Sequence, residues 1–194
     1  MDALQDARIA ALAGVRNLIA VDRWFPRNVF VGDWADFFFF DSDWMFDAQF
    51  VQPVKDLLDA EEGRCACLLN LDSAAVGTEQ NGAFFIDQQT TPDVYQSLLK
   101  GEGPASGWVY DVARYGCASD KRMWCMYCEQ ASEIAVIAFR RPGASARYVS
   151  PIAQFHAARL DEAIKGSLSY GFSEHALSVQ WRDELLREYP TRPL

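Results

Sequence analysis

Two aspartates that follow four consecutive phenylalanines are the residues of this chain best suited to chemistry. They lie in residues 37–44, which read Phe-Phe-Phe-Phe-Asp-Ser-Asp-Trp. If the phenylalanines form a buried strand that ends in a loop, Asp41 and Asp43 project in the same direction. Two carboxylates placed in this way can hold a divalent cation against a phosphate group. Asp41 and Asp43 are therefore candidate metal ligands.

The Asp-x-Asp motif is similar to the metal motif of nucleotide-sugar glycosyltransferases and, in part, to the first motif of phosphatases of the haloacid dehalogenase type. The resemblance implies a divalent-metal-dependent transferase or phosphatase built on a parallel α/β sheet. The phosphatase motif has Thr or a similar residue where this chain has Met45. The chain also shows little of the regular alternation of strands and helices that such a sheet requires. A metal-dependent enzyme is therefore kept as the alternative function.

Other catalytic chemistry lacks its usual residues. Nucleophilic triads need a positioned base, most often His, and this chain has only His156 and His175. Both lie in predicted helices near the C-terminus, where a surface or packing role is the more common one. The sequence contains no G-x-S-x-G, no G-x-G-x-x-G and no P-loop. We therefore predict a protein that is not an enzyme, with no catalytic residue and no cofactor.

The five cysteines could in principle bind zinc. Cys65 and Cys67 form one pair, Cys125 and Cys128 a second, and Cys117 lies between them in the sequence. Structural zinc sites usually use C-x2-C knuckles in turns, whereas both pairs lie in apolar runs typical of strands. In a strand the first pair shares one face and the second pair does not. We therefore expect five buried core thiols and no metal site.

The net charge of −9 is concentrated in one segment. Residues 33–62 contain nine acidic residues and a single base, Lys55, so this stretch carries −8 and the remainder only −1. The chain has 18 Lys and Arg against 27 Asp and Glu, which argues against nucleic acid, since phosphate-backbone binding depends on clusters of Lys and Arg. A basic partner is favoured instead.

The same segment is rich in aromatic residues, which favours a recognition surface. Interface cores are enriched in Trp, Tyr and Phe, and acidic groups around such anchors complement a basic protein. We therefore predict a partner-binding surface formed by Asp33, Trp34, Asp36, Asp41, Asp43, Trp44 and Asp47. The alternative for the phenylalanines is a core role, because four consecutive apolar residues in a strand require both faces to be covered.

Hydrophobic periodicity predicts a single α+β domain over residues 1–194, with a mainly antiparallel sheet or meander packed by N- and C-terminal helices. Predicted strands cover residues 65–71, 83–86, 108–115, 123–128 and 134–140, with one or two more within residues 24–46. Predicted helices cover residues 2–20, about 50–62 and 92–100, and two further helices begin at Ser150 and Ser173. Thr91-Pro92 has the form of a helix N-cap followed by proline at the first helical position.

We expect a cytoplasmic protein without a membrane partner. Residues 1–24 lack the basic region, long apolar core and cleavage site of a signal peptide. No window approaches the ~20 apolar residues that span a bilayer. Five cysteines in a chain of this length do not form the pattern of a disulfide framework.

Residues 108–116 (WVYDVARYG) and 123–139 (MWCMYCEQASEIAVIAF) predict paired strands around a polar turn. With the small size, low pI and α+β pattern, these stretches resemble bacterial immunity proteins, the inhibitors encoded beside interbacterial toxins of type VI and related polymorphic systems. The resemblance implies a noncatalytic antitoxin that covers the active site of a cognate toxin or effector, one with a basic cleft. Such families share no catalytic motif that could be transferred to residues here. An adaptor subunit of another cytoplasmic complex would have the same composition and stays open.

Overall fold

Six antiparallel strands form one sheet in the computed structural model of the protein, which describes residues 2–72, 82–101, 107–108, 112–143, 146–164 and 178–190. The strands are β1 (Asp36–Asp41), β2 (Cys65–Asn70), β3 (Ala83–Asp87), β4 (Arg114–Ser119), β5 (Trp124–Glu129) and β6 (Ile134–Phe139). Their order across the sheet is β1-β6-β5-β4-β2-β3, and every adjacent pair is antiparallel. The predicted α+β class and the meander of β4, β5 and β6 are confirmed.

The described helices are α1 (Ala3–Leu18), α2 (Val51–Glu61), α3 (Pro92–Lys100), α4 (Val149–Gln154), α5 (Leu160–Ala163) and α6 (Val179–Glu188), with 3₁₀ helices at Ser42–Phe46, Ala48–Phe50 and Gln130–Ser132. The predicted N-cap of α3 is confirmed, because the Thr91 hydroxyl accepts the Val94 N–H at 3.2 Å and Pro92 occupies the first turn. In the described part of the chain, no helix has the length and apolar character needed to cross a membrane.

Helices cover both faces of the sheet, which is therefore the middle of three layers. α2, α3 and α4 pack on one face, here called the front face, and α1, α5 and α6 pack on the other, the back face. The phenylalanines of β1 alternate between them: Phe38 and Phe40 lie in the front core, and Phe39 lies in the back core with Phe37 packed against it. The predicted burial of this run on both faces is confirmed.

The cysteines are core residues, as predicted. All five are buried and free. Cys125 lies in the back core and Cys128 in the front core, which confirms that this pair does not share a face. Burial raises the pKa of the Cys65 and Cys67 thiols to about 12 and raises that of Cys117 as well. Burial thus favours the neutral form of these thiols.

The predicted strand at residues 108–115 is wrong in position. β4 begins at Arg114 and ends at Ser119, and Trp108 lies outside the sheet, where its ring stacks on Phe84 at 4.5 Å between centroids. The sequence of β4, Arg-Tyr-Gly-Cys-Ala-Ser, has small residues with low strand propensity. Its place between β2 and β5 buries all six residues, so tertiary pairing decides the structure here.

The region predicted as one helix from Ser150 contains two short helices, α4 and α5. Between them, His156 has a left-handed backbone (φ 52°) and Ala158 pairs with Phe39 of β1. The last helix, α6, begins after an N-cap at Ser178, whose hydroxyl accepts the Trp181 N–H at 3.2 Å. The predicted cap at Ser173, with His175 and Leu177 after it, lies outside the described residues.

Candidate functional site

The seven residues predicted to face a partner lie at the two ends of β1. Asp33, Trp34 and Asp36 are at its start, whereas Asp41, Asp43, Trp44 and Asp47 are at and beyond its end. A strand rises about 3.4 Å per residue, so five steps along β1 separate the two groups by about 17 Å. The structure therefore does not bring them together into one surface.

At the start of β1, two of the three predicted residues are buried and form hydrogen bonds within the protein. The Asp36 carboxylate is buried; it accepts the Gly143 N–H at 2.9 Å and lies 3.9 Å from the Arg159 guanidinium. Trp34 is 7% exposed and its indole N–H donates to the Val31 carbonyl. Both side chains are therefore buried within the fold, and their predicted role as partner contacts stays a prediction. Asp33 is exposed.

At the end of β1, an acidic surface forms where two tight turns meet. We call it the acidic corner and define it by Asp41, Asp43, Trp44, Asp47 and Glu133. The Asp41 carboxylate accepts the Asp43 N–H at 2.8 Å and thereby caps the 3₁₀ helix Ser42–Phe46. Asp47 caps the next 3₁₀ helix in the same way, with the Gln49 N–H at 2.8 Å. The sequence places an aspartate at each helix start, a favoured N-cap residue.

Two buried tyrosines hold the backbone of the acidic corner from below. The Tyr115 hydroxyl donates to the Ser42 carbonyl at 2.6 Å, and the Tyr95 hydroxyl donates to the Met45 carbonyl at 2.7 Å. Both tyrosines are fully buried, and burial raises the pKa of each phenol well above its ordinary value. The hydroxyls therefore remain protonated and donate to the turn at physiological pH.

The carboxylates of the acidic corner repel one another. Burial raises the pKa of Asp43, and the charges of Asp41 and Glu133 raise it further. In the part of the chain that the structure describes, none of these carboxylates or that of Asp47 forms a salt bridge. A group of like charges without a counter-charge is destabilising. A cation brought by a partner relieves that repulsion.

Trp44 offers part of its surface to a partner and uses the rest for packing. Its side chain is half-buried, with the ring edge-on to Phe155 at 6.4 Å and tilted against the His156 ring at 5.6 Å. His156 is therefore a packing residue of this corner, in line with its interpretation from sequence. The combination of a fixed aromatic ring and surrounding carboxylates is typical of an interface anchor.

Glu133 is the member of the corner that sequence reasoning missed. It follows the turn between β5 and β6 and has a left-handed backbone (φ 57°). Its carbonyl accepts the Ser42 N–H at 3.3 Å, which joins the turn to the start of the first 3₁₀ helix. The sequence did predict the turn after β5 that Glu133 follows. The pairing of β1 with β6, which brings Glu133 to the acidic corner, could not be predicted from the spacing of residues.

Two of the four remaining acids of residues 33–62, Asp56 and Asp59, accept hydrogen bonds elsewhere. The Asp56 carboxylate accepts the side-chain amides of Gln52 at 2.8 Å and Gln154 at 2.6 Å, and that of Asp59 accepts the Gln88 amide at 2.6 Å. The concentration of charge in sequence therefore does not become one continuous acidic face.

The metal-site interpretation of Asp41 and Asp43 is not matched by the geometry. β1 is an edge strand of an antiparallel sheet, whereas the families with this motif have a parallel one. One Asp41 oxygen is already engaged by the Asp43 N–H. Among the described residues, no group of three or more His, Cys, Asp or Glu is arranged to hold a metal ion. The motif is accounted for locally as a helix cap.

Comparison of the chain with protein-family models, with curated proteins and with solved structures found no match. The function is therefore argued from the geometry of the site alone.

Proposed function

We propose that this protein is a noncatalytic inhibitor of the immunity-protein class, which binds a cognate bacterial toxin or effector through its acidic corner. The observation that carries the proposal is the cluster of Asp41, Asp43 and Glu133, three like charges without a salt bridge among the described residues, beside the half-exposed ring of Trp44. The basic cleft of a toxin that acts on nucleic acid or nucleotides complements this surface, and occupying the cleft excludes its substrate.

The rigidity of the corner supports a binding role. Tyr95 and Tyr115 fix the turn before any partner arrives, and the caps at Asp41 and Asp47 fix the start of each 3₁₀ helix. Ordering a flexible loop on binding costs free energy, and a preorganised surface avoids most of that cost. The carboxylates that repel one another in the free protein gain most from a cationic partner.

The test is charge reversal at the corner, measured against the product of a toxin-like reading frame adjacent to the gene for this chain. We expect Asp43→Lys combined with Glu133→Lys to weaken binding at least tenfold, about 1.4 kcal/mol, and to reduce its dependence on salt. Binding is measured by calorimetry at low and high salt, and toxin activity is measured in parallel.

The matched control is Asp33→Lys, an exposed charge reversal at the far end of β1. It is expected to leave affinity nearly unchanged. An equal loss in control and corner variants would mean that overall charge, and not the corner, governs binding. Full affinity in the corner double variant would contradict the proposal. Binding without inhibition of the toxin would identify an adaptor instead.

A further inference from the structure

The two edges of the sheet differ in how far other described segments of the chain pair with them. At β1, the Phe39 N–H donates to the Ala158 carbonyl at 2.7 Å and the Ala158 N–H donates back to Phe39 at 2.9 Å, which closes the middle of that edge. At the opposite edge, β3 pairs with β2, and no other described segment pairs with it. An open edge is a template for a further strand.

The register shows which backbone groups of β3 are open. The Asn70 N–H donates to the Gly82 carbonyl at 2.8 Å, so Gly82 faces β2. Bonding alternates along an antiparallel pair, and Ala83 and Phe85 therefore direct their N–H and C=O groups away from the sheet. At the end of the strand, Thr90 closes the edge, because its hydroxyl accepts the Asp87 N–H at 3.0 Å and its own N–H donates to the Asp87 carbonyl at 3.1 Å.

A groove of about 520 Å³ lies between α1 and Phe85 of β3 on the back face. The described residues that line it include two arginines, Arg8 and Arg16, and no acidic residue. Arg8 is held at the edge by Asp87 at 3.3 Å and lies over the Phe85 ring at 5.6 Å. Ile9 is 59% exposed beside them. In a chain of net charge −9, the groove therefore presents Arg16 and the Asp87-paired Arg8 beside the apolar side chains of Ile9, Leu12 and Phe85.

The front side of the same edge is apolar. There the ring of Phe84 is half-buried and stacks on Trp108 at 4.5 Å. A strand added beside β3 would place alternate side chains on the two faces. Those on the back face meet Arg8 and Arg16, and those on the front face lie toward Phe84.

We propose that the edge of β3 binds an extended protein segment by strand addition, and that the segment alternates acidic with apolar residues. Main-chain bonds to Ala83 and Phe85 provide affinity, and the two arginines select the acidic positions. The site does not depend on the proposed function of the acidic corner, which lies at the other edge of the sheet and carries the opposite charge.

The test uses a fluorescein-labelled peptide of eight residues that alternates Glu and Val, with a Lys and Val peptide of equal length as the control. We expect saturable binding of the first peptide only. In amide hydrogen exchange followed by NMR, bound peptide should slow exchange at Ala83 and Phe85 at least tenfold. Exchange at Phe84, whose N–H faces β2, should change little. Binding without this alternating protection would contradict strand addition.

Variants separate the contribution of backbone hydrogen bonds to peptide affinity from the contribution of charge. Ala83→Pro removes an outward N–H and no bond to β2, and we expect it to weaken peptide binding at least tenfold, whereas Ala83→Val keeps the N–H and retains binding. Arg16→Glu should also abolish binding, with Arg187→Glu on α6 as the matched control. Circular dichroism checks that each variant folds.

Three further results would overturn the proposal. One is equal binding by the proline and valine variants. Another is slow exchange at Phe85 in the free monomer, which would mean that this chain already covers its own edge. The third is a concentration-dependent dimer that Ala83→Pro dissociates, which would make a second copy the occupant.

Discussion

At the scale of single residues, Glu61 is the group least compatible with its surroundings. It ends α2, it is 7% exposed, and neither carboxyl oxygen has a hydrogen-bond partner among the described residues. Burial raises its pKa from 4.5 to about 7, and the charge of Asp120 contributes in the same direction. Ser119 and the Trp124 indole lie close enough to lower the pKa in part, yet neither reaches hydrogen-bond geometry.

The pH dependence of stability follows from this shift. Between pH 4.5 and about 7, the folded protein keeps the Glu61 proton that the unfolded chain releases. The contribution of Glu61 to the free energy of unfolding therefore falls as pH rises through this window and is constant above it. We expect Glu61→Gln to raise the free energy of unfolding by about 3 kcal/mol at pH 8 and to change it little at pH 4, as measured by urea denaturation.

Glu62→Gln is the control for this experiment, because the neighbouring Glu62 is exposed. This substitution should leave the pH dependence of the free energy of unfolding the same as in the original chain. If Glu61→Gln has the same profile as the original chain, Glu61 is already ionised in the folded protein and its interpretation as a buried neutral acid is wrong.

At the scale of elements, the packing of α1 on β4 depends on Gly116. A Cβ at this position would overlap the Ile19 side chain and lie 2.9 Å from Cγ1 of Val15. We expect Gly116→Ala to lower the free energy of unfolding by about 1–3 kcal/mol, because the helix must move away from the strand. Thermal and urea unfolding measure the change.

The matched control is the same substitution on the helix side of that interface. A Cβ on Gly14 would meet its nearest atoms, in Arg122 and Ser119, at 3.4 Å, an ordinary contact. Gly14→Ala should stabilise the protein by up to about 1 kcal/mol through helix propensity. Equal effects of the two substitutions would show that α1 does not pack on β4 as described.

The elements that could be predicted from sequence are those with local signals. The apolar runs of β5 and β6, the polar turn between them and the Thr91-Pro92 start of α3 are patterns within a few residues. β4 could not be placed, since its Gly116 and small neighbours become a strand only between two others. The division of the 150–164 region into α4 and α5 depends on the pairing of Ala158 with β1, a contact between residues distant in sequence.

At the scale of the molecule, the candidate site was predictable in composition but not in arrangement. The count of charges identified residues 33–62 as the acidic segment. In the structure, however, the length of β1 separates the predicted contact residues into two groups. Hydrogen bonds that no sequence pattern reveals, such as that of Asp36 with Gly143, decide which acids are occupied by the fold. Glu133 could be assigned to the acidic corner only once the order of strands in the sheet was known, because that order places β6 beside β1.

The two proposed surfaces lie on opposite edges of the sheet. Five steps between strands, at about 4.8 Å each, separate β1 from β3 by about 24 Å. Because this distance exceeds the Debye length of ~8 Å at physiological salt, we expect the two sites to be independent. Saturation with the Glu and Val peptide should change affinity for the toxin at the acidic corner less than twofold, as measured by calorimetry. Competition between the two ligands would indicate a shared surface.

The strand order also bears on the synthesis of the protein. β1 acquires its neighbour only when β6 is made, since Asp41 pairs with Ile134 and Asp36 with Phe139. Until then, the growing chain carries four uncovered phenylalanines in a row, a segment prone to aggregate. An aspartate borders this run on each side, and a charge at the border of such a segment opposes its stacking with other chains. Asp36 and Asp41 thus occupy the flanking positions at which charged residues oppose aggregation of an apolar strand.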